Sequence, residues 1–213
     1  MAQQQTDSYP ATLDIDYPGQ SNRLTAFFRL ILAVPILIIL SILSASGGET
    51  MSESGELAMT NLGGIAASLA IATALMIVFR QTYPRWWFDF ALELTRFSTR
   101  ITAYLMLLTD KYPSTVDQQA VKLNVTYPNV KTDLHRGLPL IKLFLAIPHI
   151  IVLIVLVAAM IITTIIAWFA ILIAGRYPRP LFDFAVGVNR WGLRVSAYAA
   201  LLTTDKYPPF SLR

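Results

Sequence analysis

Three apolar stretches dominate the chain, at residues 24–43, 62–79 and 143–175. A helix that crosses a bilayer needs about 20 mostly apolar residues. The first two stretches therefore predict one span each. The third runs uncharged from Leu143 to Gly175. At about 1.5 Å per residue it is too long for one ordinary crossing of a core about 30 Å thick. It predicts two short helices folded back on each other near residues 158–163. Pro35 and Pro148 fall in early turns of the first helix of each pair. A proline inside a helix removes a backbone hydrogen bond and predicts a kink there.

A different pattern follows each apolar pair. Residues 86–108 and 180–202 read as helices with charges on one face, Asp89, Glu93, Arg96 and Arg100 recurring at i, i+4, i+7 and i+11. Placed across a membrane, four such charges cost roughly 10–14 kcal/mol, while the large apolar residues return about 3–6. These segments therefore predict amphipathic helices at the interface. Residues 12–17 and 121–127 alternate apolar and polar positions, as a half-buried strand does. They predict two short strands that pair or cover the cytoplasmic face.

These elements recur in one order. Tyr17-Pro18 is matched by Tyr127-Pro128, and Leu32-Ala33-Val34-Pro35 by Leu145-Ala146-Ile147-Pro148. Tyr83-Pro84-Arg85 with Phe88-Asp89-Phe90 is matched by Tyr177-Pro178-Arg179 with Phe182-Asp183-Phe184. Arg96 and Arg100 find Arg190 and Arg194, and both halves close on Asp-Lys-Tyr-Pro, at Asp110 and Asp205. The resulting fold class is an all-α membrane protein of four transmembrane helices. They form two parallel tandem hairpin repeats, each followed by an interfacial amphipathic helix, with short cytoplasmic strands. The divisions are a tail at 1–11, repeat one at 12–113, a linker at 114–120, repeat two at 121–210 and a tail at 211–213.

Composition supports lipid contact. The chain is 55% hydrophobic and 14% charged, against about 25% charged in soluble domains. The net charge of +4 is placed beside the apolar runs by Arg23, Arg29, Arg80, Arg85, Arg136, Lys142, Arg176 and Arg179. The intervening segment 44–61 carries only acids, Glu49, Glu53 and Glu56. The positive-inside rule then predicts a multi-pass protein of the bacterial cytoplasmic membrane with both termini in the cytoplasm. Asp7, Asp14 and Asp16 precede the first apolar run, so no cleaved signal peptide is expected despite Ser44-Ala45-Ser46. No motif for nucleic acid is present.

Candidate chemistry is sparse. With no cysteine there is no thiol nucleophile and no disulfide. No phosphate loop, zinc motif or nucleophile elbow occurs. Arg96, Arg100, Arg190 and Arg194, flanked by Trp86, Trp87 and Trp191, are candidates to bind lipid phosphates or an acidic partner, since arginine grips phosphate bidentately. The plainer reading has Asp89, Glu93 and Asp183 pairing with these arginines on a solvated face. His149 is a weak candidate metal or pigment ligand, better read as a packing residue, and its match in the first half is Ile36. His135 reads as solvated. No metal and no cofactor is expected.

The repeated Tyr-Pro-Arg, Phe-Asp-Phe, paired arginines, Ala-Tyr and Tyr-Pro resemble the bacterial membrane proteins catalogued as domain of unknown function 4389. The resemblance spans about residues 12–210, in two tandem copies, the second closer through Arg190-Trp191 and Tyr207-Pro208-Pro209-Phe210. Glu93, Phe97 and the long first loop depart from it. It implies a bacterial membrane location and brings no activity. Three functional readings follow. The first is a non-enzymatic accessory or scaffolding subunit whose partners are membrane lipids and other membrane subunits. The second is a protein that binds or moves anionic lipid at the cytoplasmic leaflet. The third is a small transporter, disfavoured by charge-free spans.

Overall fold

The computed structural model describes residues 9–44, 64–114 and 119–213. Strand β1 (Ala11–Ile15) leads into α1 (Arg23–Ser44). Helix α2 (Gly64–Leu75) continues as a π-helical turn, Met76–Arg80, and is followed by α3 (Arg85–Leu105). Then come β2 (Val121–Val125), the short α4 (Val130–Asp133), the long α5 (Leu138–Ala174) and α6 (Arg179–Ala199). The acids Glu49, Glu53 and Glu56 lie outside the described residues.

The predicted strands form and pair with each other, antiparallel, with Leu13 opposite Leu123 and Asp14 opposite Lys122. Side chains alternate across a strand. Ala11, Leu13, Ile15, Val121, Leu123 and Val125 point inward, and Thr12, Asp14, Lys122 and Asn124 point out. The protein is mostly helical but not all-α, because this ribbon is part of its core.

Among the described residues two helices are long and apolar enough to cross a membrane, α1 and α5. The apolar part of α2 is shorter. The expected fold-back near residues 158–163 is absent: α5 is one helix of 37 residues. The reason is local. The sequence there is Ala158-Ala159-Met160-Ile161-Ile162-Thr163, with no Gly, Pro or Asn to take a turn conformation. The hydroxyls of Thr163 and Thr164 donate back to the Met160 carbonyl inside the helix. Termination waits for Gly175, at φ 71°, a left-handed conformation that glycine adopts freely. Four helices in two hairpins is therefore not the observed arrangement of the second half.

Helices α3 and α6 sit where the amphipathic pattern put them, each beginning after a Tyr-Pro pair. The proline lies just before the first helical turn, where a missing N–H costs nothing. Both helices close through a left-handed leucine, Leu107 (φ 61°) and Leu202 (φ 56°), each three residues before an aspartate. The side chain of each leucine is buried, which holds the unusual backbone in place.

The core joins the two halves of the chain crosswise. β1, from the first half, lies on α6. The Tyr17 ring stands edge-on to Phe182 at 4.9 Å, and its hydroxyl donates to the Tyr177 carbonyl at 2.5 Å. β2, from the second half, lies on α3. The Tyr127 ring meets Phe88 at 5.1 Å, and its hydroxyl donates to the Tyr83 carbonyl at 2.5 Å.

Candidate functional site

Two buried cations anchor the apolar helices. Arg29, in the second turn of α1, donates to the carbonyls of Tyr104 (2.8 Å) and Thr109 (2.5 Å) and pairs with Asp110. Lys142, in the second turn of α5, donates to the Thr204 carbonyl at 2.8 Å and pairs with Asp205 at 2.7 Å. Each cation also faces a ring, Tyr104 at 4.4 Å and Tyr198 at 5.2 Å. Burial raises the phenol pKa of both tyrosines. A buried charge is tolerated only when paired and hydrogen-bonded, and the closing Asp-Lys-Tyr-Pro supplies that partner. Read in the sequence as markers of membrane side, Arg29 and Lys142 are in addition the pins that fix each apolar helix to its amphipathic neighbour.

The four arginines proposed for lipid are engaged by protein. Arg190 donates through Nε to the Leu13 carbonyl (2.7 Å) and pairs with Asp14 at 3.1 Å. Arg96 donates to the Leu123 carbonyl (3.1 Å) and pairs with Glu93 at 2.5 Å. Each therefore holds a strand of the ribbon. Arg100 donates to the Ser114 carbonyl at 2.6 Å. Arg194 donates to the carbonyls of Ser211 and Arg213. Burial, with Arg190 beside it, lowers the Arg194 guanidinium below its ordinary value. Asp89 and Asp183 pair with Arg85 (3.6 Å) and Arg179 (3.9 Å), not with the arginines further along. Those two exposed arginines lie over the Tyr127 and Tyr17 rings.

The tryptophans divide. Trp86 is exposed at 68%. Trp87 is half-buried and donates to the Thr73 hydroxyl at 2.8 Å. Trp191, expected at a lipid or partner surface, is instead in the core at 5%. Its indole N–H donates to Nδ1 of His149 at 3.1 Å. His149 is fully buried, stacked on Phe210 with ring centroids 3.9 Å apart and close to Tyr207 at 4.8 Å. Acceptance at Nδ1 leaves the ring proton on Nε2, which has no partner. Among the described residues no three His, Asp or Glu side chains gather to hold a metal.

A cavity of about 480 Å³ lies between α3 and α6, with Leu69 and Thr73 of α2 and Leu153, Val157 and Met160 of α5 completing its lining. Thr95, Ser98, Thr99 and Thr102 line one wall, and Asn189, Gly192 and Ser196 the other. The hydroxyls of Thr95, Thr99 and Thr102 donate back to carbonyls four residues earlier. The Asn189 amide donates to the Ala185 carbonyl. The lining is neutral and its hydrogen-bonding groups are largely used within their own helices. The cavity was missed in the sequence, although the hydroxyl spacing i, i+3, i+4, i+7 marks one helical face. Also missed were the hydroxyls of Tyr17 and Tyr127, whose function only the crosswise packing reveals.

A family model described as "Domain of unknown function (DUF4389)" matches residues 139–211. That is one copy, in the second half, where two tandem copies were expected. No curated protein and no solved structure matches this chain.

Proposed function

We propose that this chain is a non-enzymatic membrane protein of the bacterial cytoplasmic membrane that serves as an accessory or scaffolding subunit of a larger membrane assembly. One observation carries the reading. The apolar helices α1 and α5 leave most of their large side chains uncovered, Leu30, Ile31, Phe144, Ile154 and Ile173 among them, while the charged groups of α3 and α6 are spent on holding the fold together. Exposed apolar surface on this scale marks a surface that lipid or another protein covers. We further infer that the chain is a diverged tandem repeat. The paired anchors Arg29–Asp110 and Lys142–Asp205, and the paired clamps Arg96 and Arg190, are its support. Both termini are read as cytoplasmic from the distribution of Lys and Arg.

The test is the mass of the protein extracted from native membranes in mild detergent. A defined complex with other membrane subunits at fixed stoichiometry is expected. A stable monomer that brings no other protein counts against the scaffold reading. The arginines give no separate support to lipid-phosphate binding, because each already donates to a main-chain carbonyl of the protein, and Arg96 and Arg190 to a carboxylate as well.

A further inference from the structure

We propose that α5 lies along one leaflet of the bilayer, not across it, with α6 between it and the water and the acyl chains of that leaflet covering its exposed face. The inference rests on the reading that the chain is embedded in a membrane.

The geometry begins with α5 and α6, which run antiparallel and are fixed together at both ends. At one end Lys142 reaches Thr204 and Asp205. At the other only residues 175–178 separate the two helices. Between these points Ala146 packs with Trp191 and Val195, His149 accepts from Trp191, and Met160 meets Asn189 at 3.5 Å. The orientation of α5 therefore dictates that of α6.

The second face of α6 carries the ribbon. Tyr17 sits on Phe182, Leu13 is held by Arg190, and the Tyr9 hydroxyl donates to the Arg194 carbonyl at 3.2 Å. β1 thus covers the middle of α6, on the side turned from Trp191 and Val195. Among the described residues this ribbon has two strands, with the Leu13 and Leu123 carbonyls at its edges taken by Arg190 and Arg96, and its outer face bears Asp14, Asp16 and Lys122, all more than half exposed. If α5 stood across the bilayer, the ribbon would lie beside its centre. In the hydrocarbon, charged side chains face protein or water-filled cavities, not lipid. Laying α5 in the plane removes the conflict and puts the ribbon in water.

Length and surface agree. Thirty-seven residues reach about 55 Å, against a hydrocarbon core about 30 Å thick. On the side away from α6, Leu143, Ile154, Ile165 and Ile173 are each more than half exposed. No charged residue interrupts the helix after Lys142.

The chain contains no cysteine, so single-cysteine variants report one place each. Leu143→Cys, Ile154→Cys and Ile165→Cys recur every 11 residues on nearly the same helical face. Each full-length variant is labelled with bimane and reconstituted into phosphatidylcholine–phosphatidylglycerol vesicles. Quenching is then compared between lipids carrying a nitroxide near the headgroup and lipids carrying it near the chain end. The same shallow-to-deep quenching ratio at all three sites is expected. A ratio that falls severalfold at Ile154→Cys relative to its two neighbours means a crossing helix and overturns the proposal. Absence of quenching by either lipid at every site overturns the membrane reading itself. As an independent check, Lys122→Cys on the ribbon is labelled by a membrane-impermeant maleimide. In-plane placement predicts labelling at the rate of an exposed thiol in those molecules that face the reagent, and protection until detergent is added contradicts it.

Discussion

Gly187 stands where the other amphipathic helix carries Glu93. A Cβ at position 187 would lie 2.7 Å from the Leu212 carbonyl oxygen and 2.9 Å from the Leu212 Cβ. The glycine is thus the price of seating the C-terminal tail on α6. Gly187→Glu should expel that tail at a cost of about 1–3 kcal/mol, read as faster proteolytic loss of the last residues, whereas Glu93→Gly leaves the tail rate unchanged. A larger effect belongs to the buried anchors. Asp205→Asn leaves Lys142 without its counter-charge in a fully buried site. The loss should be about 3–5 kcal/mol in a chemical unfolding curve, with Lys142→Met in the same background restoring much of it. At this scale the sequence told which residues matter better than what they touch. The arginines of α3 and α6 were visible by spacing, but Arg96 and Arg190 find their partners on the strands, over a hundred positions away in the case of Arg190 and Leu13. No periodicity carries that information. His149 is the reverse case. It pairs with Trp191 where the matching positions are Ile36 and Phe97. An indole N–H buried in a core needs an acceptor, a phenylalanine does not, and that difference is already written in the two halves.

Among the elements, the strands and the amphipathic helices were readable because their periods are distinct, two residues for one and 3.6 for the other. The apolar helices were not, because a uniformly apolar run has no period to interpret. Length and the analogy with the first half suggested a fold-back in the second half, and local chemistry refused it: residues 158–163 hold no Gly, Pro or Asn to make a turn. Hydrogen exchange on the protein in lipid nanodiscs should therefore show amides across 158–163 protected as strongly as those on either side. A patch of fast exchange there would restore the hairpin. The ribbon gives a second measurement. Lys122 bridges to Asp16 at 2.8 Å, and that carboxylate raises the lysine pKa above its ordinary value of 10.5. A group whose pKa is raised by folding stabilises fully below the unfolded value and loses that contribution as pH rises through the folded one. The gap in melting temperature between the wild type and Lys122→Met should be constant near neutrality and close as the pH passes 10.5. The pair is exposed, so the gap itself is small.

At the scale of the whole molecule, each strand is attached to the amphipathic helix of the other half. β1 pairs with β2, yet β1 is clamped by Arg190 and Tyr177 of the second half, and β2 by Arg96 and Tyr83 of the first. Arg23 adds a bond from the start of α1 to the Ile173 carbonyl near the end of α5, and Trp168 donates to the Ala26 carbonyl at 3.1 Å. Two halves joined this way are expected to unfold as one cooperative unit, because each strand is clamped by residues of the other half. Leu13, Ile15, Leu123 and Val125 are each at least 90% buried in the assembled ribbon, and full burial of such a side chain stabilises by about 1.5–3 kcal/mol. A protease site placed between Ser114 and Gln119 and cut after folding makes the consequence measurable. The two fragments should stay together through size-exclusion chromatography in detergent and melt in a single transition. Arg190→Gln combined with Tyr17→Phe removes the clamps on β1 while leaving the buried anchors Arg29–Asp110 and Lys142–Asp205 intact, and in the cut protein it should split the melt in two or release the fragments. Fragments that separate without these substitutions would mean that each half folds by itself, and that the ribbon is a decoration on two independent units and not the joint between them.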